Sequence, residues 1–208
     1  MDDIVDITLF RHGLTEANQQ KVYLGWSDSP LREEAIQQLA TYSFQEEDYD
    51  YFVSSDLGRC LFTCKRLFPY VDPLALRELR EMNFGAFEGK TYEELKEDEA
   101  YGQWMENMLT SSPPDGESFE AFSERVERGW KKIVNAILQR DDQQVFVVSH
   151  GGVIRCLLHR FAPFEKDFWE WKIPHGTGYV LKFSREQLRR GAPCISLQEV
   201  RLTGNAPG

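Results

Sequence analysis

Arg11-His12-Gly13 and Ser149-His150-Gly151-Gly152 each close an apolar run, Ile7-Thr8-Leu9-Phe10 in one case and Val145-Phe146-Val147-Val148 in the other. An imidazole is nucleophilic at neutral pH when one ring nitrogen is free and the other is held as a donor. A guanidinium beside it offers a planar fork matched to phosphate oxygens, which lysine does not. Two imidazoles delivered in the same way, with an arginine next to the first, suggest a pocket for a phosphoryl group. Such a transfer needs an in-line nucleophile, neutralisation of charge on three oxygens and a proton for the leaving group.

Short β-branched and apolar runs read as buried strands of a parallel sheet, whose carboxyl ends face the crevice where α/β folds bind ligands. Ile4–Phe10, Tyr51–Ser54, Leu74–Leu76, Val145–Val148, Tyr179–Phe183 and Ile195–Leu202 are the expected strands. Ala35, Ile36 and Leu39 mark one amphipathic helix. Cys60, Leu61, Cys64, Leu67 and Phe68 mark a second, stopped by Pro69. A long third helix begins near Ser118, carries Phe119, Phe122, Val126, Trp130, Ile133, Ile137 and Leu138 on one stripe, and ends before Asp141-Asp142. The alternation predicts an α/β fold: a mostly parallel central sheet, helices on both faces, and a small helical insertion over the site at about residues 86–114. Residues 1–208 are expected to form a single domain.

A formal net charge of −10 argues against a nucleic-acid or acidic-membrane surface, so attraction for an anion must be local. No stretch reaches membrane-span length and Met1-Asp2-Asp3 lacks a basic secretory start, so a cytoplasmic location is expected. Cys60, Cys64, Cys156 and Cys194 are too sparse for a disulfide framework. Cys60 and Cys64 stand four apart, but no histidine or second pair lies at finger-like spacing, so no metal and no cofactor are expected. Whether the chain self-associates is left open.

The segment Arg11-His12-Gly13-Leu14-Thr15-Glu16-Ala17-Asn18 resembles the R-H-G-x-T-x-x-N signature of the histidine phosphatase superfamily, which includes the cofactor-dependent phosphoglycerate mutases. Further resemblances follow in order: Gly25-Trp26-Ser27-Asp28-Ser29-Pro30-Leu31, Ser54-Ser55-Asp56-Leu57-Gly58-Arg59-Cys60, Leu79-Arg80-Glu81-Met82-Asn83-Phe84-Gly85 with Glu88-Gly89, Gly116-Glu117-Ser118, and Ser149-His150-Gly151-Gly152. Each alone is weak; six in sequence are specific. The resemblance implies a phosphoglycerate mutase-like fold.

Roles follow from chemistry. His12 is the expected nucleophile, forming a phosphohistidine. Arg11 and Arg59 grip phosphate oxygens. His150, best used protonated, donates to another. Asn18 supplies an amide donor at the start of the next helix, and Gly151, like Gly13, lets the backbone approach closely. Thr15 and Gly25 are placed on the substrate side. Glu81 is the expected general acid, a role that partial burial and a neighbouring phosphate would favour. Glu78 is chemically equivalent, but only Glu81 fits the family's E-x-x-F-G spacing. Glu16 and Glu88 are expected to cap or pair. His159 is expected on a helix surface, and His175, in Pro174-His175-Gly176, is left undecided.

The mutases carry E-R-H-Y-G after the acid and a long basic insertion; this chain has Glu81-Met82-Asn83-Phe84-Gly85 and a short acidic, aromatic one. That difference favours hydrolysis of a small phosphate ester without metal. Resemblance to the α-ribazole phosphatase and broad-specificity branches suggests a nucleotide-like or sugar phosphate. Phe87, Tyr92, Tyr101, Trp104 and Met105 could offer apolar surface to its organic part or pack in the core. The alternatives are a phosphoglycerate mutase and, from another class, a catalytically silent phosphate-binding or interaction module.

Overall fold

The computed structural model describes residues 4–200. Six strands make one sheet: β1 Ile4–Arg11, β2 Tyr51–Ser55, β3 Leu74–Leu76, β4 Gln144–Ser149, β5 Gly178–Ser184 and β6 Ser196–Val200. Their order is β3-β2-β4-β1-β5-β6. The first four in that order pair in parallel, whereas β5 runs antiparallel to both β1 and β6. All six expected strands are present; the expected end of the last, residues 201–202, lies outside the described residues.

Both faces of the central strands β1 and β4 are buried, which their unbroken apolar runs require. Side chains alternate between the faces. Val5, Ile7, Leu9, Val145 and Val147 join the larger core, with the long helix, while Phe10, Phe146 and Val148 join a smaller aromatic one. Eight α-helices surround the sheet among the described residues: α1 Glu16–Gln19, α2 Glu33–Leu39, α3 Gly58–Leu67, α4 Tyr92–Leu95, α5 Glu99–Glu106, α6 Phe119–Arg140, α7 Gly151–Phe161 and α8 Arg185–Arg190. α2 and α3 supply the aromatic side through Leu39, Cys60 and Cys64. α6, α7 and α8 cover the other, through residues such as Val126, Ile133, Ile154 and Leu188.

α6 starts where the Ser118 hydroxyl accepts from Ala121 N–H and ends at Asp141 in a left-handed conformation. α4 and α5 form the insertion: Thr91 and Glu94 make a capping box, and Asp98 caps the second helix. The insertion is anchored by Leu95, Tyr101 and Trp104, which enter the main core. The sequence gives no notice of α8, a two-turn helix with its own capping box from Ser184 and Gln187.

Candidate active site

Register places the two histidines side by side. β1 and β4 pair in parallel with Arg11 opposite Ser149, so His12 and His150 are the next residues out of both strands. Their ring centroids are 5.1 Å apart, close to the spacing of adjacent strands. His12 N–H donates to the Ser149 carbonyl at 3.0 Å, which locks the exit from β1 to that from β4.

The His12 ring has a defined tautomer. Nδ1 lies 2.8 Å from the Gly13 carbonyl. A carbonyl can only accept, so Nδ1 carries the proton and Nε2 the free lone pair. Burial, then Arg59 and Arg11, push this imidazole well below its ordinary range, so the ring is neutral near pH 7.

Arg59 reaches the same pocket from the first turn of α3. Its Nη2 donates to the Gly25 carbonyl at 2.6 Å and its Nη1 to the Ser27 carbonyl at 2.7 Å. Asp28 pairs with it at 3.4 Å and also accepts its backbone N–H. The loop bearing those acceptors is held in turn by Glu88, whose carboxylate accepts from the N–H groups of Trp26, Ser27 and Phe84 and from the Ser27 hydroxyl. Arg11 donates through Nη1 to the Ile173 carbonyl at 2.5 Å, and burial lowers its basicity to about 10, which leaves it charged. The Nε of Arg11 and the Nε of Arg59 are both buried with no hydrogen-bond partner. Buried donors of this kind are rare unless something else satisfies them.

His150 is fully buried, with Nε2 2.9 Å from Ser55 Oγ and 3.4 Å from Cys60 Sγ, so Nδ1 keeps only a long contact with that sulfur. Burial, followed by Arg59, His12 and Arg11, pushes its basicity well down. The protonated form expected from the sequence is therefore disfavoured by the protein alone, and a phosphoryl dianion against the ring would act in the opposite direction.

Glu81 stands at the start of α7. Its Oε2 accepts Gly152 N–H at 2.9 Å and its Oε1 accepts Met82 N–H at 3.0 Å. A Cβ at residue 152 would come within 2.2 Å of Oε1, and one at residue 151 within 3.0 Å of Arg11 Cζ, so a side chain at either position would displace the end of Glu81 or crowd that of Arg11. Glu78 points elsewhere and pairs with Lys132 at 2.7 Å. Asn18 Oδ1 accepts from the Thr15 hydroxyl at 2.9 Å, which leaves its Nδ2 amide to donate. Thr15 caps α1, and Gly25 offers its carbonyl to Arg59. Glu16 pairs with Arg32 at 3.7 Å.

Two residues near the site are silent in the sequence, and a third is one that the sequence leaves undecided. Arg125 is buried in α6, forks onto Glu117 at 2.7 and 2.8 Å, and donates to the carbonyls of Glu78, Arg80 and Glu81. It holds the segment carrying the acid. Arg155, on α7, lines an aromatic crevice of 210 Å³ with Glu81, Tyr23, Phe84, Trp104, Phe122 and Phe168. Of the side chains that could offer apolar surface or pack in the core, Phe87, Tyr101 and Trp104 are core residues, Trp104 also lining this crevice, while Tyr92 and Met105 are exposed and outside that lining. The third is His175, whose ring centroid lies 5.4 Å from that of His12. Its position depends on how β5 returns along β1, which local sequence does not encode.

The profile of the histidine phosphatase superfamily (branch 1) matches residues 7–190. An adenosylcobalamin/alpha-ribazole phosphatase of Salmonella typhimurium is 32% identical over 175 residues, covering 81% of this chain and 85% of that protein. The crystal structure of the alpha-ribazole phosphatase from Shigella flexneri superposes with a TM-score of 0.80 at 26% identity, covering 98% of each chain. A phosphoglycerate mutase structure from Bacillus anthracis, 22% identical, shares the fold with a TM-score of 0.71 over 91% of this chain and 97% of that one.

Proposed function

Because the chain belongs to the histidine phosphatase superfamily, we propose that it hydrolyses a phosphate monoester of the α-ribazole 5'-phosphate class through a phosphohistidine on His12. It is a phosphatase, and residues 1–208 are proposed as one catalytic domain with an insertion at about 86–114. The observation that carries the mechanism is the tautomer: with Nδ1–H held on the Gly13 carbonyl, Nε2 is the free nucleophile, and two orphaned guanidinium Nε atoms lie nearby.

Nε2 attacks phosphorus in line with the leaving oxygen. The P–O bond breaks as the P–N bond forms, and Glu81, entering as the carboxylic acid, protonates the departing alcohol. Water then attacks the phosphohistidine and gives its proton back to Glu81; the P–N bond breaks and phosphate leaves. Arg11, Arg59, His150, the Asn18 amide and the backbone at Gly151 bear the oxygens throughout. The crevice beside Glu81 supports the substrate class, because its aromatic walls suit a ring-bearing alcohol and Arg155 is its one basic side chain. The cytoplasm is the proposed compartment, supported by four cysteines that are all free.

The test is phosphate release, with EDTA present, from α-ribazole 5'-phosphate, simple sugar phosphates and 3-phosphoglycerate. We expect preference for the first and a loss of about 10⁴-fold or more in His12→Ala. Formation of 2-phosphoglycerate would instead identify a mutase. Phosphate binding without turnover at any pH would identify a silent module.

A further inference from the structure

The segment between α7 and β5 has no part in the roles assigned above, yet it brings a third imidazole to the nucleophile. His175 lies with its ring at 60° to that of His12, and its Nε2 is buried with no hydrogen-bond partner. The segment is pinned to the site itself. Gly176 N–H donates to the carbonyls of Arg11 and His12 at 3.2 and 3.1 Å, and Arg11 N–H donates to the Thr177 carbonyl at 2.8 Å. Tyr42 from the opposite side donates to the Gly176 carbonyl at 2.6 Å. The backbone following His175 is thus fixed by bonds to the same two residues that open the pocket.

Three buried polar atoms without partners are gathered around His12: Nε of Arg11, Nε of Arg59 and Nε2 of His175. They come from β1, α3 and the β5 approach. Both guanidinium groups act electrostatically on His12 and on His175, which places all four side chains in one neighbourhood. Burying such atoms unsatisfied is costly, and a tetrahedral oxyanion, with oxygens facing several directions, can satisfy all three. Burial, then Arg11 and Arg59, push the His175 imidazole down to about 3. Near neutral pH it is therefore an uncharged donor, which can add a hydrogen bond without adding to the cationic crowding.

We propose that His175 Nε2–H donates to an oxygen of the phosphoryl group as it moves to and from His12, a phosphate contact additional to Arg11, Arg59 and His150. The proposal rests on the phosphohistidine reading but is tested without turnover. Whole protein labelled with ¹⁵N-histidine is titrated with inorganic phosphate, and long-range ¹H–¹⁵N spectra follow each imidazole, with His175 assigned from its loss in His175→Gln. The His175 ring should show Nε2 as the protonated nitrogen and shift in step with His12. A His175 signal that stays still while His12 saturates would overturn the contact.

Two variants separate donation from packing. His175→Phe keeps a ring but no donor, and should weaken phosphate binding, read from the midpoint of the same titration, by about 10- to 100-fold. His175→Gln restores a donor at similar reach and should recover most of that loss. Equal weakening in both, or none in the Phe variant, would make His175 a packing residue and sink the idea. If the Phe variant does not fold, the titration of the wild-type chain decides. Trapping of acid-labile phosphoenzyme reads His12 independently, so either proposal can fail alone.

Discussion

Arg59 commits Nη1 and Nη2 to backbone carbonyls and keeps Nε unpartnered in the pocket. A lysine could carry the same charge but could not fill two acceptors while aiming a third donor at phosphate. Arg59→Lys should therefore lower kcat/KM for p-nitrophenyl phosphate by about 10²-fold. Stability should also fall by about 1–3 kcal/mol, because the carbonyls of Gly25 and Ser27 lose their partner. Steady-state kinetics and urea midpoints measure the two effects, and unchanged kinetics would mean that charge alone suffices. Legibility differs sharply among such residues. His12 announces itself through the strand before it and the glycine after it. Arg125 does not: it occupies a helix stripe otherwise filled by apolar residues, and its partner Glu117 lies before the helix begins. Solvation is the ordinary fate of a helical arginine, and only tertiary placement overrides it.

At the scale of elements, the junction of β4 and α7 does two jobs. It presents His150, and its Gly152 N–H orients the Glu81 carboxylate. Gly152→Ala would drive a methyl group into Glu81 Oε1. We expect kcat to fall about 10²-fold through misplacement of the acid, with KM little changed, when the leaving group is a poor one. An activated ester such as p-nitrophenyl phosphate, whose phenolate needs no proton, should lose far less. Equal losses on both substrates would contradict the role given to Glu81. Strands and long helices were legible here because their apolar periods are strong. α8 was not, since six residues with three arginines carry no core signature and its capping box is its main signal. The insertion was visible as a change of composition, but which of its aromatics face inward depends on packing against Tyr23 and Phe87.

For the whole molecule, the cost of building this pocket should appear in its stability. His12, His150 and His175 are all held neutral in the fold, whereas in the unfolded chain they titrate near 6.5. Below that value the unfolded state binds more protons, so the stability these rings permit is present at higher pH and lost as pH falls. Between pH 6.5 and 5 the three together should remove about 5 kcal/mol, as measured by urea unfolding. His12→Gln should remove about a third of that slope. A flat profile over this range would show that the rings ionise freely in the folded protein.

The reversed direction of β5 sets its beginning, rather than its end, against the exits of β1 and β4. Residues 172–177 therefore reach Arg11 and His12 from the antiparallel side, where Ile173, Gly176 and Thr177 bond to them. Laboratory evolution confined to position 175, with those three anchors kept, should retune anion grip while leaving the mounting of Arg11 and His12 in place.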